Sequence, residues 1–106
     1  MAGRRTKRIR ATQRITIGFL GANLRFTGDV VDLSSTGVLV RTSHALEPGT
    51  MGRIGIDVGN ETLRAIVSVR RSVPSIGIAF EFMEMALRDR GLLHRLLLRL
   101  QRPIHS

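Results

Sequence analysis

Between Ile15 and Phe82 the apolar residues fall on every second position, in short runs broken by turn residues. After Phe82 the period lengthens to about 3.6. A period of two buries one face of an extended strand, and a period of 3.6 buries one stripe of a helix. Ile15, Ile17 and Phe19 alternate with small or polar residues; Leu24 to Leu33 carries Thr27, Val30 and Val31; Val38 to Thr42 is a third run. Met51 to Val58 alternates around Ile54, Ile56 and Val58, Leu63 to Val69 around Leu63, Ala65, Val67 and Val69, and Ile76 to Phe82 around Ile76, Ile78, Phe80 and Phe82. Gly21-Ala22-Asn23, Asp32 to Gly37, Pro48-Gly49, Gly59-Asn60 and Pro74 are the turn signals between them. Met83 to Gln101 predicts one helix, stopped near Pro103, with Met85, Ala86, Leu92, Leu93, Leu96, Leu97 and Leu100 in one arc facing the core. Six short, regularly spaced strands followed by one amphipathic helix predict a mainly β fold. It is a six-stranded antiparallel β-barrel, closed so that no edge is exposed, with a C-terminal α-helix over one end or flank.

The helix carries a basic strip, Arg88, Arg95 and Arg99, while Leu87 and Leu98 fall on its far side. Two exposed leucines are either stray surface residues or a face for a protein partner or a weak dimer. The chain length of 106 residues suits one domain. Its expected organisation is a flexible basic arm over 1–13, the barrel and helix over 14–101, and a tail over 102–106.

Charge narrows the choice of partner. Lys and Arg number 17 against 8 Asp and Glu, a formal charge of +9, and every base but Lys7 is arginine. Six of these bases lie in 1–14 without an acid among them (Arg4, Arg5, Lys7, Arg8, Arg10, Arg14). Arginine presents a planar fork to phosphate and stacks on bases, so the balance points to an anionic ligand. A single-strand nucleic-acid polymer is disfavoured, because the chain has no Trp or Tyr and only four Phe on which bases could stack. The absence of Cys removes disulfides, thiolate nucleophiles and Cys-ligated zinc. His44, His94 and His105 have no metal-ligand spacing and no paired carboxylates, so neither a metal site nor an enzyme is expected. The most apolar stretch, Gly91 to Leu100, is far shorter than the ~20 residues of a membrane span. A soluble, cytoplasmic protein is the expectation.

Two local patterns carry chemistry. Arg4 to Arg8 reads Arg-x-x-x-Arg, and Asp32 to Gly37 reads Asp-x-Ser-x-x-Gly between two strands. Two arginines on one arm can reach one polyanion, each well-formed contact contributing roughly 1.5–3 kcal/mol. An aspartate accepts from paired N–H donors such as N1 and N2 of guanine. Ser34 can add a hydroxyl bond, and Gly37 permits positive φ or close approach of backbone to a ligand. Each pattern also has an ordinary reading. Arg10 to Arg14 is a second Arg-x-x-x-Arg, and Asp-x-Ser-x-x-Gly is equally a turn whose Asp and Ser cap backbone N–H groups.

In this order and on this strand pattern, the two motifs resemble those of the PilZ domain family, whose members bind the bacterial second messenger cyclic di-GMP. The resemblance runs from Arg4 to about Leu100 and implies the same six-stranded barrel and C-terminal helix. It implies that Arg4 and Arg8 contact the phosphates and guanine of the ligand. Arg5 reads as assisting or as a solvated base, and the resemblance implies that Asp32, Ser34 and Gly37 hold a guanine edge. The family spacing between the motif and the first strand selects Arg4 and Arg8 over Arg10 and Arg14. Arg10 departs from the family, where many members carry Pro. The function so implied is a receptor for cyclic di-GMP that needs no cofactor and signals to a protein partner. Its alternatives are a ligand-free adaptor of the same fold, or a small basic nucleic-acid barrel.

Overall fold

The computed structural model describes residues 7–101. The strands are β1 (Ile9–Arg10), β2 (Thr16–Gly21), β3 (Leu24–Leu33), β4 (Gly37–Arg41), β5 (Met51–Val58), β6 (Glu61–Val73) and β7 (Gly77–Glu84), followed by the helix α1 (Leu87–Gln101). All pairings are antiparallel. Six strands close a ring in the order β3-β2-β5-β6-β7-β4, and β4 returns to β3. The two-residue β1 lies on the same edge of β3 as β2, since Ala11 N–H donates to Val31 O and Val30 N–H to Ile15 O. Lys7 onward, the part of the expected arm that is described, therefore runs along β3 at Ile9 and Arg10.

The alternating residues fill the barrel. Ile17, Phe19, Leu33, Val38, Val40, Ile54, Ile56, Leu63, Val67, Val69, Ile78 and Phe80 are all buried in one cluster. Phe19 stacks between Phe26 and Phe80, with ring centroids 5.1 and 5.3 Å away. Hairpin β2–β3 turns on Ala22 and Asn23, both at positive φ (53° and 59°), as a two-residue turn matched to strand twist requires. Five leucines of α1 (Leu92, Leu93, Leu96, Leu97, Leu100) cover the core beside β6 and β1, while Leu87 and Leu98 are exposed.

Besides one-residue shifts at β4 and at the start of β7 and the unexpected short strand β1, two boundaries differ from the sequence reading. The helix starts at Leu87 rather than Met83, because Glu84 pairs with Ile66 and so keeps Met83 and Glu84 in β7. Met83, Glu84, Met85 and Ala86 are good helix formers, and sheet pairing overrides that weak preference. Strand β6 is longer at both ends than the expected Leu63 to Val69, and over residues 61–65 it runs past the end of β7. There the Arg64 N–H finds the Asp89 carboxylate at 3.0 Å in place of a strand neighbour. Asp89 is 8% exposed, and Arg88, which also pairs with Glu61, donates to the same oxygen at 3.2 Å. Among the described residues no helix is long and apolar enough to cross a membrane.

Candidate functional site

The geometry starts with a fault in the alternation of β3. Phe26 and Val30 point into the core. Continued in phase, the strand would bury Asp32 and expose Leu33. Instead the register with β4 shifts between Val30 and Asp32, leaving Val31 as an extra residue. A bulge of this kind re-aims the side chains beyond it. Leu33 turns inward and is fully buried, whereas the Asp32 side chain is on the outer face, 22% exposed.

Strand β1 brings the basic segment to this carboxylate. Ile9, opposite Leu33, is buried, so Arg8 and Arg10 share the outer face with Asp32. The Arg8 Nη1 donates to Asp32 Oδ1 at 2.6 Å, across 24 residues of sequence. Arg10 is the direct register partner of Asp32. Arg4 and Arg5 lie outside the described residues.

On the other side of Asp32, the register runs to Leu39 on β4, then Ala79 on β7, then Arg71 on β6. Leu39 is half-buried and Ala79 is small and buried, so a flat apolar strip lies between Asp32 and the exposed Arg71. One step along β4, the exposed Arg41 faces Asp29, which Arg14 meets at 3.2 Å. Oppositely charged neighbours of this exposure contribute little to stability, of order 0–1 kcal/mol.

The turn after β3 is held from within. The Ser34 Oγ accepts from the Thr36 and Gly37 N–H groups, each at 3.1 Å, and the Ser34 N–H donates to Gly37 O at 2.9 Å. Ser34 is 1% exposed, so its hydroxyl serves the turn and does not face solvent. The Thr36 carbonyl accepts from the Phe82 N–H at 2.8 Å, docking the turn on β7. Gly37 is not at positive φ. A Cβ there would collide with the Phe80 carbonyl oxygen, so the close approach that demands glycine is that of β7.

Thus Arg8 and Asp32 come together, while Ser34 and Gly37 lie behind Asp32 as the frame of the turn. Sequence reasoning missed Arg10, Arg41 and Arg71 as members of this surface. Arg10 carried a signal, the second Arg-x-x-x-Arg, whereas Arg71 reaches Ala79 only through a second register shift, between Val69 and Arg71.

The model of the PilZ domain family matches residues 3–99. Among solved structures, the chain is similar to the PilZ domain of CeSA from a cellulose synthesizing bacterium, at 25% identity, covering 91% of this chain and 99% of that one with a TM-score of 0.70. It is similar in fold to the PilZ domain with c-di-GMP of YcgR from Escherichia coli, at 19% identity, with 92% and 91% covered and a TM-score of 0.73. The Bacillus subtilis inhibitor of motility MotI/DgrA gives a TM-score of 0.75 at 18% identity, over 95% of this chain and 52% of that one, about half its length. No curated protein sequence matches the chain.

Proposed function

The chain belongs to the PilZ domain family, and on that premise we propose that it is a cytoplasmic receptor for cyclic di-GMP that relays the signal to a protein partner. The observation that carries this reading is the 2.6 Å contact between Arg8 and Asp32, which joins the basic motif to the acidic turn. The ligand carries two phosphates and two guanines. Asp32 offers its carboxylate to the N1–H and N2–H edge of one guanine, and Arg8 exchanges Asp32 for phosphate. Arg4 and Arg5, from the same basic segment, complete the clamp. Leu39 and Ala79 give a base a flat apolar floor, with Arg10 and Arg71 adding positive charge at its two ends. Ser34 and Gly37 act by keeping the turn in shape.

The relay has a physical route in the sequence neighbour of Arg8. Ile9 is buried in the core beside α1. A ligand that repositions Arg8 therefore bears on the packing of the helix, and so on the surface a partner meets. The protein acts by binding and catalyses no reaction, and it uses no cofactor.

Isothermal titration of cyclic di-GMP into the full chain tests the reading. The expected dissociation constant is ~1 μM or tighter, about −8 kcal/mol. Arg8→Ala removes a charge-assisted contact of roughly 1.5–3 kcal/mol and weakens binding about 10- to 100-fold. No heat from the wild type, or equal affinity in the variant, overturns it.

A further inference from the structure

A second cationic surface lies on the opposite stretch of β3, remote from Asp32. From Arg25 to Asp32 is seven residues of strand, about 23 Å. On the outer face of the barrel wall the register runs Thr27, Gly18, Gly55, Arg64 across β3, β2, β5 and β6. The next outward row is Arg25, Leu20, Arg53, Ile66, ending at Glu84 on β7. Together with Met85 and Ala86 these rows line a groove of about 930 Å³.

Gly18, in the middle of its floor, is not explained by the fold, and Gly55 beside it only by the closeness of Thr62. Neither has positive φ. A Cβ on Gly18 would meet nothing within 4 Å, and one on Gly55 only the Thr62 methyl at 3.2 Å. A glycine inside a strand weakens it, and often marks a place where a ligand or another backbone comes close. Nothing within the described chain fills the space where a Gly18 side chain would stand.

The walls define what would. Arg25, Arg53 and Arg64 have no carboxylate partner among the described residues, and Glu84 is the single acid in the lining. Leu20, between Arg25 and Arg53 in the second row, is 50% exposed, and Met85 and Ile66 add apolar surface. An occupant must therefore combine an aliphatic face with several negative charges. A second copy of this chain is disfavoured, because each carries +9. A nucleic-acid strand is disfavoured because the outward side chains of the groove include no aromatic on which a base could stack. From Thr27 to Arg64 the floor spans three strand spacings, about 14 Å, which admits one α-helix of ~10–12 Å diameter.

We infer that this groove is a docking site for an acidic amphipathic helix of a partner protein, with apolar side chains over Gly18 and Gly55 and carboxylates on Arg25, Arg53 and Arg64. The site is independent of the cyclic di-GMP reading and stands or falls without it.

The test uses the isotopically labelled full chain and a synthetic helical peptide of about 18 residues, long enough to hold a helix, with a leucine face flanked by glutamates. A peptide with lysine in place of glutamate is the control. Amide resonances of Gly18 and Gly55 report directly on the floor. The expected result is that the acidic peptide shifts both, that the lysine peptide does not, and that Gly18→Leu and Arg53→Glu each weaken binding at least about tenfold. Arg53 is exposed, so its replacement leaves the core intact, and Arg8→Ala should leave peptide binding unchanged. The inference is overturned if the acidic peptide leaves both glycine amides unmoved, if the lysine peptide binds equally, or if Arg53→Glu binds as the wild type does. It is also overturned if anionic phospholipid vesicles or an oligonucleotide shift these amides at lower concentration than the peptide.

Discussion

Replacing Asp32 by alanine separates what the Arg8–Asp32 pair does for the fold from what it does for a ligand. The pair is short, 2.6 Å, yet the two side chains are 46% and 22% exposed. A pair open to water in this way contributes at most about 1 kcal/mol to stability. In a domain of this size that corresponds to a melting temperature lowered by no more than about 8 °C. Binding should respond more strongly. Two guanine N–H donors on one carboxylate contribute at least ~3 kcal/mol together, and releasing Arg8 from Asp32 offsets up to about 1 kcal/mol of that. The remaining ~2 kcal/mol predicts cyclic di-GMP binding about 30-fold weaker in Asp32→Ala. Titration calorimetry gives the affinity and urea unfolding the stability. The double variant Asp32→Ala/Arg8→Ala, completing the cycle, shows how far the two losses couple. An affinity change below about threefold refutes the assignment of Asp32 to the guanine edge. A stability loss above about 3 kcal/mol refutes the premise that the pair is dispensable to the fold, since only a buried interaction reaches that size.

Ser34→Ala leaves the buried Gly37 N–H and the partly buried Thr36 N–H without their acceptor, and should lower stability by about 2–3 kcal/mol in thermal unfolding, more than twice the effect of Asp32→Ala. Asp89→Ala strips the Arg64 N–H and the first turn of α1 of a shared carboxylate. It should cost about 1–3 kcal/mol, with faster amide exchange at Arg64 and in the first turn of the helix than in the β4–β7 pair.

The barrel was legible because it rests on side-chain period. Ile15, Ile17 and Phe19, or Leu63, Ala65, Val67 and Val69, have few ways to be buried together other than as strand faces, and all are buried. The leucine arc of α1 was legible for the same reason. The start of the helix was not, because local preference in Met83 to Ala86 is worth only tenths of a kcal/mol per residue, and pairing of Glu84 with Ile66 outweighs it.

At the candidate site, the sequence determined by itself which residue types were present: arginines ahead of the first long strand, an aspartate at the end of the next, and a serine and glycine to frame the turn. Their placement was a tertiary matter. Whether Asp32 faced the core or the surface depended on one extra residue at Val31, and a bulge is set by pairing with β4, not by the residues of β3 alone. That Gly37 must be glycine depended on the approach of β7 from 43 residues further on, at Phe80. Arg10 and Arg71 border the same surface because strand registers align them across the sheet. Periodicity is a property of neighbours in the chain and can be read there. Register, bulges and close backbone approaches belong to pairs of segments, and only the closed barrel specifies them.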